Sequence, residues 1–270
     1  MTQQHSPDLE RRFGGLARLY GTEGAARIRA ARVAVVGIGG VGSWAAEALA
    51  RSGVGAITLV DLDNVAESNV NRQIHALTST LGQPKVEAMR QRIALIHPGC
   101  EVHCVEDFAA PGNWPALLPA AVDGVIDACD QVHAKQALAA WALKTRAIFI
   151  TCGAAGGKRQ GERVEIADLA EVTHDPLMAA LRARLRQTGS MAKGGKNGKD
   201  RQARSGLHVV FSREAVTRPA ACGPQPGHDR NLNCHGYGSV VTVTATFGLV
   251  AAGWMLERLA QGRALQHPHT

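Results

Sequence analysis

An apolar run that meets a glycine cluster constrains this chain more than any other feature. Residues 32–36 read RVAVV, residues 37–43 read GIGGVGS, and an alanine-rich helical pattern follows to Arg51. We interpret this as strand, tight turn and helix. Glycines let backbone N–H groups approach a phosphate, and a helix N-terminus attracts anions. The stretch predicts a nucleotide phosphate site at 37–42, with a turn used only for packing as the alternative.

A second strand, at 56–60, strengthens the nucleotide interpretation. It ends in Asp61-Leu62-Asp63, so Asp61 lies nineteen residues after Gly42. Two such strands joined by one helix form a parallel pair, and an acidic residue at the second strand end can accept hydrogen bonds from ribose hydroxyls. We therefore expect a ribose near Asp61.

The remaining chain predicts further alternation of strands and helices. We expect strands at 101–106, 122–127, 147–151 and 207–211, and helices at 84–96, 111–119, 132–145 and 176–186. A strand at 163–167 has the alternation of an antiparallel strand and ends the simple doubly wound pattern. The fold class is α/β, a parallel sheet extended by antiparallel strands with helices on both faces. We divide it into an N-terminal helical segment (1–31), a nucleotide-binding core (32–170) and a C-terminal region (171–270) of the same globular unit.

Composition indicates the compartment. Residues 1–20 are polar and charged, and none of the six cysteines forms a Cys-x-x-Cys pair, so we expect reduced thiols and a cytoplasmic protein. Residues 238–256 carry no charge, but threonines and glycines dilute their hydrophobicity. We expect a buried strand-then-helix element there, in the domain or at a subunit interface, and no stable membrane insertion.

A basic segment near the C-terminal third suggests a polyanionic partner. The net charge is +7, and eight Lys or Arg residues face one acid between Arg182 and Arg204. Residues 187–206 contain no core-forming side chains by composition, which predicts a mobile loop. Nucleic-acid phosphates are its natural partner, and a merely solvated loop is the alternative.

Five linked elements together resemble the ThiF/MoeB/HesA family, which is related to ubiquitin-activating enzymes. They are the glycine turn, Asp61-x-Asp63, Asn69-x-x-Arg72-Gln73, Lys85 and Asp130. Residues 12–21, 71–77 and 243–248 further resemble the branch that dehydrates threonylcarbamoyladenosine in tRNA. The resemblance implies a Rossmann-like ThiF/MoeB fold, ATP and Mg²⁺ as cofactors, and the tRNA anticodon stem-loop as substrate. It also implies a homodimer, with a cysteine-desulfurase sulfur-transfer protein as an additional partner.

The resemblance also implies roles for single residues. Arg72 and Lys85 would neutralise the phosphates, and Asp130 would position magnesium. Asp61 would bind ribose, and Asp63 would support the site without contacting the nucleotide. Asn69 and Gln73 would orient phosphates, and the turn residues would cradle the nucleotide. The latter are Gly37, Gly39, Gly40, Gly42 and Ser43.

The implied reaction begins with attack of the substrate carboxylate on the α-phosphate of ATP, which releases pyrophosphate. The carbamoyl group then attacks the activated carbonyl and expels AMP, with a net loss of one water. This intramolecular step requires positioning and no enzyme nucleophile. Cys234 is followed by His235, which suggests a thiol that acts in sulfur relay or covalent catalysis. Adjacent side chains point apart on an extended chain, however, so a structural or incidental cysteine is favoured.

Three departures from the family pattern qualify the resemblance. The usual pairs of zinc-binding Cys-x-x-Cys motifs are missing, so we expect no zinc. The basic loop favours RNA over a ubiquitin-like carrier. The Arg-x-x-Arg arginine finger from the partner subunit is interrupted near Gly15, which leaves Arg12 as the best substitute and Arg18 as the next.

Two other functions remain open from the sequence. One is adenylyl transfer to the C-terminus of a ubiquitin-like sulfur-carrier protein. The other is a nucleotide-sensing scaffold of a sulfur-transfer complex. A dehydrogenase is disfavoured because Arg72, Lys85 and Asp130 serve phosphates rather than a hydride.

Overall fold

The computed structural model describes residues 7–191, 204–217 and 237–262, and places them around a seven-stranded sheet. The strands are β1 (Arg32–Val36), β2 (Ala56–Val60), β3 (Glu101–Val105), β4 (Gly124–Asp127), β5 (Ile148–Cys152), β6 (Val164–Asp168) and β7 (His208–Ser212). The helices are α1 (Leu9–Phe13), α2 (Gly15–Ala30), α3 (Gly42–Arg51), α4 (Lys85–Ile96), α5 (Val132–Thr145), α6 (Pro176–Gln187) and α7 (Val241–Ala260).

The sheet order is β3-β2-β1-β4-β5-β7-β6. All neighbouring pairs are parallel except β6 and β7, which confirms the predicted parallel sheet with an antiparallel extension. The carboxyl ends of β1 to β5 and β7 therefore lie along one edge. The order reverses between β1 and β4, and α/β proteins bind ligands at such a point.

Helices cover both faces of the sheet, and each face has its own apolar core. One core joins α2, α3, α4 and α7 to the sheet and includes Leu49, Met89 and Phe247. The other joins α5 and α6 and includes Leu138 and Leu181. The central strands β1, β2, β4 and β5 are buried or nearly so along their length, which explains why they read as continuous apolar runs.

Two predicted elements are wrong. Residues 111–119 form turns instead of a helix. Pro115 has no N–H to donate, and the Asn113 side chain bonds the backbone locally, accepting from Ala110 N at 2.8 Å and donating to Phe108 O at 2.9 Å. These local bonds compete with the bonds of a helix.

The strand expected at the start of 238–256 is also wrong, because this segment enters a single helix, α7, at Val241. β-Branched residues misled the prediction. Thr246 Oγ1 donates to Thr242 O at 2.7 Å, so its hydroxyl is satisfied inside the helix. The expected burial is confirmed, since α7 packs on α3 and contributes ten buried residues.

Most of the predicted mobile basic loop, residues 192–203, lies outside the described residues. Its described beginning corrects one expectation. Met191 is buried and joins the core formed by α5 and α6, although composition predicted no core-forming side chain there. Among the described helices, none is long and apolar enough to cross a membrane.

Candidate active site

A cavity of about 750 Å³ runs along the carboxyl edge of the sheet. Its wall is built by the segments that follow six strands, from Phe108 after β3 to Val216 after β7. This edge is where the order of the strands reverses, so the cavity occupies the ligand position expected for the fold. We describe the cavity by its two ends, one on the β1–β4 side and one on the β5–β7 side.

The glycine turn forms one wall at the reversal of the strand order. Gly37 has φ +86°, and a Cβ there would lie 2.8 Å from Cys129 N, so the turn can approach the chain after β4 only without a side chain. Gly39 and Gly40 line the cavity with it. Gly42 and Ser43 lie behind the wall at the start of α3, where a Cβ on Gly42 would meet Gly37 O at 1.8 Å. The predicted glycines thus separate into a lining group and a packing group.

Two buried polar atoms near the turn have no hydrogen-bond partner within the described residues. They are Gln73 Oε1 and Ser43 Oγ. Gln73 is 5% exposed and lines the cavity, and its Nε2 would lie 3.9 Å from a Cβ on Gly39, so its amide stands beside the glycine turn. Both unpaired oxygen atoms are enclosed by protein, and an unpaired buried acceptor costs about 1–3 kcal/mol. They mark a local cost of packing at this turn.

Lys85 forms the cationic part of the site at the N-terminus of α4. Its Nζ donates to Asp63 Oδ2 at 2.7 Å and lies 3.9 Å from Asp61 Oδ1, and the side chain is almost buried. A lysine here opposes the helix dipole, as the sequence indicated, but the two carboxylates already offset that repulsion. Lys85 is therefore held in place before any phosphate binds.

Asp61 is held by the backbone around it. Its Oδ2 accepts from Ile38 N at 2.6 Å and its Oδ1 accepts from Asp63 N at 2.9 Å. Burial raises the pKa of Asp61, while Lys85 and the two backbone N–H groups act in the opposite direction. Each oxygen retains a second lone pair, so the carboxylate can still receive ribose hydroxyls from the cavity.

Arg72 lies on the cavity wall with its side chain packed against Gly40, where a Cβ would lie 3.2 Å from Arg72 Cγ. Its Nη1 donates to Ser68 O at 2.8 Å and to Asn71 Oδ1 at 2.9 Å, and burial lowers the pKa of the guanidinium. Asn69 Oδ1 accepts from Ala66 N at 3.0 Å, so the Asn69 side chain closes the short turn that presents Arg72. Asn69 also lines the cavity, so it has a local structural contact besides the expected one.

Asp130 lines the same cavity just after β4, on the edge shared with Gly37 and Asp61. The structure therefore brings together Arg72, Lys85 and Asp130 with Gly37, Gly39, Gly40, Asp61, Asp63, Asn69 and Gln73. No group of three or more His, Cys, Asp or Glu side chains within the described residues could hold a metal by itself.

A buried charge pair lies beneath Asp130 and was missed by the sequence analysis. Lys135 Nζ is 3.1 Å from Asp127 Oδ1 and donates to Thr151 Oγ1 at 3.0 Å, while Thr151 Oγ1 donates to Asp127 Oδ2 at 2.7 Å. Lys135 and Asp127 are both fully buried. The signal was present, because Lys135 shares a helical face with the apolar Leu138.

A second buried lysine, Lys158, lies near the β5–β7 end and was also missed. Its Nζ donates to Ser212 O and Glu214 O, each at 2.9 Å, and to His174 O at 3.3 Å. Its sequence context, Gly-Gly-Lys-Arg-Gln, resembles an exposed loop. No pattern in the sequence could show that three distant carbonyl groups converge on it.

Arg12 does not line the cavity. Its Nη1 donates to Ile96 O at 2.5 Å, at the C-terminal end of α4, and the rings of Phe13 and His97 meet edge to face with centroids 4.7 Å apart. Lys85 begins the same helix, and twelve residues span about 18 Å. Arg12 is therefore separated from the other predicted catalytic residues of the chain.

The four described cysteines, Cys100, Cys104, Cys129 and Cys152, are free, as expected. Burial raises the pKa of Cys100 and Cys152 to about 12, which disfavours the reactive thiolate. Cys222 and Cys234 lie outside the described residues, so the prediction about Cys234 stays a prediction.

Comparison with known proteins agrees with this geometry. The ThiF family model matches residues 13–269. The tRNA threonylcarbamoyladenosine dehydratase of Escherichia coli (strain K12) is 42% identical over 262 residues, covering 94% of this chain and 96% of that protein. A crystal structure of that E. coli enzyme, TcdA, in complex with ATP superposes with a TM-score of 0.82 over the same shares of the two chains.

A relative with another activity matches over a shorter stretch. The molybdopterin-synthase adenylyltransferase of E. coli (strain K12) is 36% identical over 123 residues, covering 46% of this chain and 49% of that protein. The likeness to the dehydratase, in contrast, extends over nearly the whole of both chains. From the family model that matches residues 13–269 and the likeness over 94% of its length, this chain belongs to the ThiF family.

Proposed function

We propose that this protein uses ATP to dehydrate the threonylcarbamoyl group on the adenosine beside the tRNA anticodon, which closes that group into a ring. One observation carries the proposal: a single cavity joins a glycine turn to Arg72, Lys85 and Asp130, in a chain that is 42% identical to the E. coli dehydratase along 94% of its length. We therefore assign to this chain the activity that the name of that relative states.

The chemistry suits the residues on the cavity wall. The substrate carboxylate attacks the α-phosphorus of ATP, and the P–O bond to pyrophosphate breaks. The substrate's own carbamoyl group then attacks the activated carbonyl, loses a proton, and expels AMP. The oxygen lost from the substrate leaves with AMP, so the net loss is one water. Because the attacking group is tethered, the second step needs positioning more than an enzyme nucleophile.

Lys85 and Arg72 stabilise the charge that grows on the phosphates during the first step. Both are partly or largely buried, so their charges act with little screening by water. Lys85 must exchange part of its bond with Asp63 for a phosphate oxygen, and the 2.7 Å contact holds it ready for that exchange. Asp61 receives the ribose hydroxyls, and Asn69 and Gln73 orient the phosphates.

Mg²⁺ suits the donor set of the cavity. This ion prefers oxygen ligands and commonly takes one or two carboxylates together with phosphates and waters. Asp130 is the residue we assign to it, with Asp107 on the same cavity wall. When bound, the ion neutralises phosphate charge; the protein contributes the carboxylate that orients it. No zinc role is proposed.

The partners follow from the same proposal. The tRNA anticodon stem-loop is the substrate, and the basic segment between Arg182 and Arg204 supplies sequence-independent affinity for phosphates. A homodimer would bring Arg12 of one subunit towards the cavity of the other, since Arg12 lies away from its own. A cytoplasmic location and a cysteine-desulfurase partner for sulfur transfer belong to the same proposal.

The test is a mass measurement on the substrate. Incubation with ATP, Mg²⁺ and threonylcarbamoyladenosine-containing tRNA should give a product lighter by one water, together with AMP and pyrophosphate. Lys85→Met should lower kcat/KM by about 10²–10³-fold, the loss seen when one group that stabilises transition-state charge is removed.

The matched control is Lys144→Met, which removes an exposed lysine of α5 and should leave the rate unchanged. No mass change with folded, ATP-binding protein would contradict the proposal. Pyrophosphate exchange that depends on a Gly-Gly-ended carrier protein would instead establish adenylyl transfer.

A further inference from the structure

The two ends of the cavity differ in charge. Every charged residue among its described lining residues comes from the segments after β2, β3 and β4. The β5–β7 end is lined by small, apolar and aromatic residues, among them Gly153, Ala154, Gly156, Leu177, Val216 and Tyr237. We call this wall the acceptor end. An uncharged wall suits an aromatic base and the uncharged part of its substituent better than phosphates, while the carboxylate of that substituent would extend towards Arg72 and Lys85, where it meets ATP.

Three separate segments of chain build most of the acceptor end, and Tyr237 joins them from a fourth. The three are the loop after β5 (153–160), the entry to α6 (174–177) and the segment after β7 (212–217). Loops carry little packing of their own, so their relative positions need specific bonds. The shape of this wall therefore depends on whatever fastens the three segments together.

Lys158 fastens all three. Its ammonium group belongs to the first segment, and it donates to His174 O in the second and to Ser212 O and Glu214 O in the third. All three donors of the ammonium are used, and the side chain is only 2% exposed. Lys158 itself does not line the cavity.

Glu214 makes the reciprocal connection. Its carboxylate accepts from Arg159 N at 2.9 Å and Gln160 N at 2.9 Å, so the third segment holds the first as the first holds the third. Thr217 N donates to Gly157 O at 2.8 Å and closes the same junction. These bonds determine where Val216 stands on the cavity wall.

The same junction reaches Tyr237. Gly157 N donates to Gly238 O at 2.8 Å, and a Cβ on Gly157 would lie 2.7 Å from Val216 Cγ1 and 3.2 Å from Tyr237 Cδ1. Gly157 has φ +73°, a conformation that leaves the approach open only for glycine. Val216 and Tyr237 therefore converge on the residue that precedes Lys158.

Burial of an ammonium group is costly, and an apolar side chain could fill the same volume without that cost. A lysine is useful here because it bonds three carbonyls that no single backbone group could reach. We propose that Lys158 is a positioning residue that sets the acceptor end, and that this wall receives the modified adenosine of the RNA. The inference rests on the proposed function and assigns one part of the cavity to the acceptor.

The test compares two RNAs with one protein. The wild-type chain should bind an anticodon stem-loop that carries threonylcarbamoyladenosine more tightly than the same stem-loop with plain adenosine. Binding is measured by fluorescence anisotropy in EDTA, so that no turnover occurs. Lys158→Met should lower this discrimination ratio by about tenfold, because displacement of a supporting segment misplaces the contacts it carries.

Affinity for the unmodified stem-loop and for ATP should stay unchanged in Lys158→Met, since neither the phosphate contacts nor the β1–β4 end of the cavity depends on this lysine. We call that end, which carries the glycine turn, Asp61, Arg72 and Lys85, the nucleotide end. Equal loss of affinity for all three ligands would show general destabilisation and overturn the proposal, and an unchanged ratio would overturn it as well.

Glu214→Gln is the second variant, in case Lys158→Met does not fold. It keeps an acceptor for the backbone N–H groups and removes the charge, so it should lower the ratio in the same direction by a smaller factor. If the wild-type chain binds the modified RNA selectively but forms no dehydrated product, the proposed function fails while the binding inference stands.

Discussion

Two fully buried lysines, Lys135 and Lys158, show how one residue type can serve the two ends of a cavity differently. Lys135 meets a carboxylate: burial acts to lower the pKa of Lys135, but Asp127 together with Cys129 and Cys152 outweighs burial, and the pKa lies above its usual value. Lys158 meets backbone carbonyls, and burial lowers its pKa although Asp175 and Glu214 act in the opposite direction. The first arrangement compensates a charge beneath the nucleotide end. The second joins segments around the acceptor end.

The largest expected effect tests the charge compensation. Lys135→Met leaves Asp127 as an uncompensated buried charge, and we expect the free energy of unfolding to fall by about 3–5 kcal/mol. Lys158→Met leaves buried carbonyl groups without a donor but creates no unpaired buried charge. Its free energy of unfolding should therefore fall by only about 1–3 kcal/mol. Urea unfolding monitored by circular dichroism gives both values.

The double variant Lys135→Met with Asp127→Leu removes the charge pair as a unit and should recover most of the loss. Equal losses for the two single lysine variants, or no recovery in the double variant, would remove the distinction between the two lysines.

Near the nucleotide end, His75 should make the folding stability depend on pH. Burial, with the charges of Lys85 and Arg92, lowers the pKa of His75 to about 4, and neither ring nitrogen has a hydrogen-bond partner within the described residues. Below pH 6.5 the unfolded chain protonates this histidine while the folded protein does not. His75 should therefore remove about 1.4 kcal/mol of stability between pH 7.5 and 5.5.

The measurement is the difference between wild type and His75→Leu in unfolding free energy at these two pH values. The exposed His133→Gln serves as the control and should show the full wild-type pH dependence. A His75→Leu curve parallel to that of the wild type would show that this histidine is protonated equally in both states.

The smallest effects assign an aromatic side chain to each end. Phe108 follows β3 and is 41% exposed on the cavity wall, beyond Asp61, and Tyr237 lies at the acceptor end. Stacking on a base contributes about 1–3 kcal/mol, so each alanine variant should lose about fivefold or more in affinity for its own ligand.

Phe108→Ala should weaken the binding of ATP and leave the binding of the modified stem-loop unchanged. Tyr237→Ala should weaken the binding of the modified stem-loop and leave the binding of ATP unchanged. Isothermal titration with ATP and anisotropy with the stem-loop test the two arms. An aromatic variant that weakens both ligands equally would show that the ends are not independent.

Much of the nucleotide end was predictable because it is local in sequence. The turn from β1 to α3, the acids after β2 and the lysine at the start of α4 each follow a strand or begin a helix. Parallel strands then bring their carboxyl ends to one edge. The errors arose where local signals competed, as with Pro115 and Asn113 in a helical pattern and β-branched residues inside α7.

By itself the sequence determined most of the strands and helices, the parallel core and the residues that meet at the β1–β4 end, since each depends on neighbours along the chain. Only the tertiary structure decided which glycines line the cavity, that Arg12 stands apart from Lys85, and that Lys135 and Lys158 are buried. Those features depend on groups far apart in sequence, such as Lys158 with Ser212 and Glu214. A buried charge is recognisable only when the distant atoms that compensate it are in place.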